Sequence, residues 1–189
     1  TYYGRAYSKA ITGGIVGVGV MSAETRLGGS LKASVDNATV QGAIVGITVG
    51  ATTERNGEAG LLAEARSLEV GGVTVSIDTA SLTTNLDARV QIGNNARVDG
   101  TMLSISAGQV QSVDVKMDAG TIALVAGRQG KIDVEVGGKS AIDISGGAQV
   151  SGNKLDIRSN NTVRGTSTLS GYSVRVCLLY TSDAADDTP

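Results

Sequence analysis

The side chains of this 189-residue chain that could do chemistry are carboxylates: Asp87, Asp99, Asp114, Asp118, Asp133, Asp143 and Asp156. Two acids held together can divide the work of general acid and general base across a glycosidic bond. Asp143 and Asp156 are the pair to consider, since neighbouring turns of a repeat would present them side by side. Acids alternating along a strand more commonly solvate its outer face, and sugar-processing sites usually add aromatic platforms. No ring lies between Ser8 and Gly171. The chain has no His, which excludes an imidazole base or ligand. A calcium-binding nonapeptide needs an Asp in its Gly-Gly-x-Gly-x-Asp frame, and Ser145 to Gly152, SGGAQVSG, lacks it. These observations assign no catalytic, metal or cofactor-binding residue. The expectation is a non-enzyme without cofactors.

The elements that would position such side chains come from a repeat. Leu86 to Ser106 reads LDARVQIGNNARVDGTMLSIS. Its Val90, Ile92, Ala96, Val98, Gly100, Leu103 and Ile105 recur 52 positions later as Ile142, Ile144, Ala148, Val150, Gly152, Leu155 and Ile157. Looking back 58 positions, Ala96, Val98, Gly100, Leu103 and Ile105 answer to Ala38, Val40, Gly42, Val45 and Ile47. That copy is one residue short just before Asp36, where Val35 answers to Ile92. The copies lie around 30–48, 86–106 and 138–158. In each, apolar and polar residues alternate, break at a small-residue corner and alternate again, which is the period of strands joined by tight corners. Such a unit cannot bury its own apolar face, so copies must stack.

Composition agrees. There are 27 Gly, one Pro, no Trp, no Phe and only 3% aromatic residues, so the interior must be Val, Ile, Leu and Ala. The net charge of −2, with basic residues scattered singly, lacks the stripe that nucleic acid would require. The longest apolar run, Gly13 to Met21, is too short to insert in a membrane. Its glycines do not make a phosphate loop, because nothing after them starts a helix. Its apolar faces, Val16, Val18 and Val20 on one side and Ile15 and Met21 with Gly17 and Gly19 on the other, predict a strand covered on both sides or one pressed closely against a neighbour.

Further along, Asn56-Gly57 predicts a tight turn. Residues 59–66, AGLLAEAR, have helix propensity but align at a shift of 60 with AGTIALVA from Ala119, and the strand is preferred. Gly71-Gly72 and Gly137-Gly138 read as corners, with Val73, Val75 and Ile77, then Ile132, Val134 and Val136, turned inward. Lys131, Asp133 and Glu135 then face water. Asn94-Asn95 and Asn160-Asn161 could ladder at corners. Counting strands against corners gives roughly twenty residues per coil, so each unit would span two or three coils.

With A-x-V-x-G followed by [LMI]-x-[IV]-x-[AS], as in LDARVQIGNNARVDGTMLSISA and KSAIDISGGAQVSGNKLDIRS, the chain resembles large filamentous adhesins of Gram-negative bacteria, of the leukotoxin and filamentous haemagglutinin type. The resemblance covers about residues 10 to 175. It implies an all-β, right-handed parallel β-helix over residues 1–176, a β-solenoid repeat segment. It also implies an exported protein of the outer bacterial surface in which this segment acts as rigid stalk and interaction surface, meeting receptors or glycans on host or neighbouring cells. The alternative is a fragment of a carbohydrate-active β-helix enzyme, a polysaccharide lyase or hydrolase. From Cys177, CLLYTSDAAD resembles a translated sequencing adaptor, so residues 177–189 are expected to be a non-native, disordered tail.

Overall fold

The structure, a computed structural model, describes residues 2–175. It is all-β, with no helix among the described residues. Eight strands follow in order: β1 (Gly4–Val35), β2 (Thr39–Thr52), β3 (Glu54–Arg55), β4 (Glu58–Ala59), β5 (Leu61–Ile92), β6 (Arg97–Gly137), β7 (Ser140–Ile144) and β8 (Gln149–Arg175). All but β3 and β4 belong to one sheet in which every pairing is parallel. The long strands bend at corners, where pairing skips Ile15, Gly72 and Leu124, and again Ala43, Thr101 and Asn153.

The register of the sheet is the register of the repeat. Val90 pairs with Ile142, Val98 with Val150 and Ile105 with Ile157. Val40 pairs with Val98 and Ile47 with Ile105. The missing residue is where the sequence places it. Val35 pairs with Ile92, but Thr39 pairs with Arg97, so the three residues 36–38 span what the four residues 93–96 span in the next unit. Asn37 and Asn95 both turn this corner with positive φ, 48° and 57°, and the Asn95 amide donates to Asn37 Oδ1 at 3.3 Å. Asn160-Asn161 makes no such corner; it lies within β8, paired with Gly108 and Gln109.

The expected twenty-residue coil is corrected. Each residue pairs with one a whole unit away, so units comprise residues 4–60, 61–112 and 113–164, with a fourth beginning at 165. Counting corners misleads because the bends fold a unit on itself without bringing its own segments into one ladder. Leu61–Arg66 is strand, with a bend at Gly60 before it, but the shift of 60 is also corrected: Leu61–Arg66 pairs with Val113–Asp118. The first unit's extra length is a β3–β4 hairpin inserted ahead of Leu61. Asn56 and Gly57 close it with φ of 52° and 82°, the backbone that a two-residue hairpin turn needs.

Two aliphatic clusters lie inside. One joins Leu61, Ala63, Ala65, Ala80 and Leu82 to Met21, Val113, Val115 and Met117. The other joins Val90, Ile92, Val98, Leu103 and Ile105 to Val45, Ile47 and Val49 of the unit before. In both, period-2 alternation sends every second side chain inward, and parallel stacking adds the neighbouring unit's equivalent. Ile132 and Val136 pack against the first cluster, while Lys131, Asp133 and Glu135 are exposed; Val134 is 39% exposed.

Around the Gly71-Gly72 corner the faces are inverted. Val73, Val75 and Ile77 point outward, 42–46% exposed, whereas Thr74, Ser76 and Asp78 are buried. In the unit before, Val16, Val18 and Val20 are 71–72% exposed, so that strand is not covered on both sides. Alternation defines two faces without saying which is inside, and a phase change of one residue exchanges them. Here the chain changes phase at the corner.

Val98 is fully buried and Arg97 is exposed in an ion pair with Asp99. Val98→Asp should therefore cost more than about 3 kcal/mol, the burial of an unpaired charge, and Arg97→Ala less than about 1 kcal/mol. Equal denaturation midpoints for the two variants would contradict these faces.

Candidate functional site

The repeat builds its most regular surface feature at the corner containing Gly42, Gly100 and Gly152, which stack in one column. Close approach requires glycine there: a Cβ on Gly152 would meet the Gly100 carbonyl oxygen at 2.7 Å. Beside that column Gln41, Asp99 and Ser151 form a ladder. Gln41 donates through Nε2 to Asp99 Oδ2 at 3.1 Å, Ser151 donates to Oδ1, and Arg97 donates through Nε to Oδ2. Thr101 and Asn153 complete an open, polar groove running across three units. The hydrogen bonds from Ser151, Arg97 and Gln41 hold the Asp99 carboxyl down at about 2. At neutral pH Asp99 is thus an anion and acceptor with no proton to give. The groove can hydrogen-bond a hydroxylated ligand; it has no general acid.

The seven carboxylates singled out above are all engaged. Asp87 accepts from the Lys139 backbone N–H at 2.9 Å, and Asp114 from Thr166 at 2.7 Å and Lys116 at 2.8 Å. Asp118 accepts from Ser170 at 3.1 Å and Asp133 from Lys131 at 3.2 Å. Asp143 is paired with Arg89 in the adjacent unit, and Asp156 with Arg158 at 2.7 Å. Asp143 and Asp156 lie on β7 and β8 of one unit, on either side of the corner at 145–148, and not on successive turns. The structure gives each its own arginine.

Sequence reasoning missed a second polar cluster because it placed the wrong face inside. Within the bend at Gly71-Gly72, Glu69, Thr74, Ser76, Asp78 and Thr121 are at most 3% exposed. Asp78 Oδ2 accepts from Ser67 at 2.9 Å and from Arg128 at 3.0 Å, and Arg128 also reaches Ser67 and the Ala119 carbonyl. Burial pushes the Glu69 carboxyl up, and the negative charge of Asp78 adds to the push, while Arg128 and a hydrogen bond from Ser76 oppose it. The available signal was the pair of acids, Glu69 and Asp78, flanking a double glycine.

Comparison with protein-family models, with curated proteins and with solved structures gave no match. No helix of the described residues is long and apolar enough to cross a membrane.

Asp99 also links the ladder to pH. Its folded-state value of about 2 lies below the ordinary 3.8, so its contribution to stability is complete above pH 4 and disappears as pH falls through 2. Asp99→Asn should be less stable than the parent at pH 7, and the gap should close between pH 4 and 2. An offset independent of pH in denaturant titrations would contradict this.

Proposed function

We propose that this chain is a structural and adhesive repeat segment of a large filamentous adhesin, displayed on the bacterial surface, whose units wind as a right-handed parallel β-helix. One observation carries the reading: the hydrogen-bonded register coincides with the sequence repeat, so successive copies stack side by side over a shared aliphatic interior. Such an array has no intrinsic end, and its outer faces repeat with every unit. The resemblance of its motifs to the adhesin family supplies the cellular setting.

With one unit per turn, each 52-residue copy adds only one strand spacing, about 4.7–4.9 Å, to the length of the stack. The protein gains broad lateral faces rather than reach, which favours interaction surface over stalk. The open groove beside Gly42, Gly100 and Gly152 is the face best suited to hydroxyl-bearing partners such as surface glycans. The alternative reading as a polysaccharide-cleaving enzyme is disfavoured because Asp143 and Asp156 each hold an arginine.

Beads coated with the chain should be retained on cells or on a glycan array, with retention reduced by bulky substitution at Thr101. Retention should survive Asp143→Asn and Asp156→Asn. Absence of retention on every surface would sink the adhesive reading. Release of reducing ends or unsaturated sugars from a bound polysaccharide, abolished by either Asn variant, would replace it with the enzymatic one.

A further inference from the structure

The limb that follows Gly71-Gly72 has its apolar side outward. Val73, Val75 and Ile77 are exposed in the second unit, and their ladder partners Val16, Val18 and Val20 are exposed in the first. Val125 extends the first of these columns into the third unit and is exposed as well. The result is a grid of β-branched side chains, three along each strand and two rungs deep, with Val18 and Val75 at its centre. Along the strands the grid ends at Ser22 and Thr79. Across the rungs it ends at Gly127 and Gln129, the partners of Val75 and Ile77 in the third unit.

The side of the limb turned inward is already occupied. Gly17 and Gly19 lie there against Thr74 and Ser76, and Asp78 reaches Ser67 and Arg128. Parallel sheets are ordinarily covered on both faces, but here the covered face is polar and the open face is aliphatic. The hydrophobic gain that this limb's side chains offer is therefore not realised within one chain. Whatever covers the grid must be apolar and flat.

A second copy of the chain has that form. The grid contains no ring and no cation, the groups that anchor a protein face among lipid headgroups. Its rows repeat at the strand spacing of about 4.7–4.9 Å, so the surface that meshes with them row for row is a sheet of the same spacing. Its size also fits. At 42–72% exposure these seven side chains form a patch of roughly 600 Å², the top of the range for a monomer. Two such patches together come to about 1,200 Å², the lower end of specific interfaces.

We propose that two copies of this chain pair face to face through Val16, Val18, Val20, Val73, Val75 and Ile77, forming a closed two-fold dimer of side-by-side stacks. The same patch serves both copies, so association stops at two. In the pair the limb is covered on both sides, which is the state that the run from Gly13 to Met21 predicts. The pairing does not depend on the adhesive reading, since it needs no surface but the chain's own.

The test is sedimentation velocity of the full chain over a concentration series, with circular dichroism of dilute protein as the check on folding. The parent should pass from monomer to dimer with a dissociation constant on the order of micromolar and go no further. Val75→Lys should raise that constant about tenfold or more. The milder Val75→Thr, which keeps a branched strand former, should raise it severalfold and guards against a folding failure of the Lys variant. Ile44→Lys, at a more exposed aliphatic position outside the grid, should leave dimerisation as it is. The proposal is overturned if the chain stays monomeric throughout, whether or not it binds phosphatidylcholine vesicles through the grid. It is equally overturned if an open series of larger assemblies forms through free strand edges, or if dimers form that neither Val75 variant weakens or that Ile44→Lys weakens as much.

Discussion

Parallel hydrogen bonding in register, one whole unit apart, is the constraint on which the rest of this structure depends. It places every residue directly on its counterpart in the next copy, so each position must tolerate itself or its substitute as a neighbour. For buried aliphatic positions this is favourable. Val98 stacked between Val40 and Val150 buries a column of methyl groups without a change of shape. For charges it is hazardous, because like charges directly opposite destabilise a sheet. Among the described residues no acid is the ladder partner of another acid. Asp99 lies between Gln41 and Ser151, Glu64 between Tyr7 and Lys116, and Asp114 between Leu62 and Thr166. Where bases do stack, the column of Lys9 on Arg66 continues to Asp118, and that of Lys32 on Arg89 continues to Ala141, with Arg89 ion-paired to Asp143 two positions along. Of the carboxylates that look like candidates for catalysis, Asp87, Asp99, Asp114, Asp118 and Asp143 bond across units and so help to fix register, while Asp133 and Asp156 pair within their own strands. A slip of one residue would part the cross-unit pairs as well as turning the aliphatic faces outward.

That arrangement also explains what was legible in the sequence. Val90, Ile92, Val98, Leu103 and Ile105 could be placed inside because both evidence of period and evidence of repetition fell on the same residues. The one-residue deficit before Asp36 was legible because the motif resumes on either side of it. The number of coils per unit was not, since a corner that folds a unit on itself and a corner that starts a new rung use the same small residues. Gly71-Gly72 is of the first kind. The shift of 60 assigned to residues 59–66 failed for a related reason: AGLLAEAR and AGTIALVA share small residues, while the actual insertion, the β3–β4 hairpin, had already closed before Leu61.

The inverted faces are a different kind of failure. Over residues 73–78 the alternation VTVSID is clear, and every general expectation puts Val73, Val75 and Ile77 inside. The chain instead buries Thr74, Ser76 and Asp78, leaving the aliphatic side chains on the outer surface. Polar groups buried with partners can specify a unique packing, and without them they carry a desolvation cost. Sites where a local rule is broken while the surrounding rules hold are where function or a missing ligand should be sought. The visible acids of this molecule are spent on hydrogen bonds and ion pairs, and the bend is where the alternation turns over.

The same geometry bears on how far such a protein could extend. Because the ladder joins residues a whole unit apart, the stack grows by one strand spacing for each copy, and its width is set by the many bends inside the copy. On the proposed adhesin reading, additional copies multiply lateral faces, each bearing its own variation on the Gly42, Gly100 and Gly152 corner. Gln41, Asp99 and Ser151 differ from copy to copy while their backbone does not. A scaffold fixed by its buried columns can then vary its outer columns one residue at a time, subject only to the rule that acids do not meet. Binding specificity would be set along the stack by that variation, and stability by the invariance beneath it.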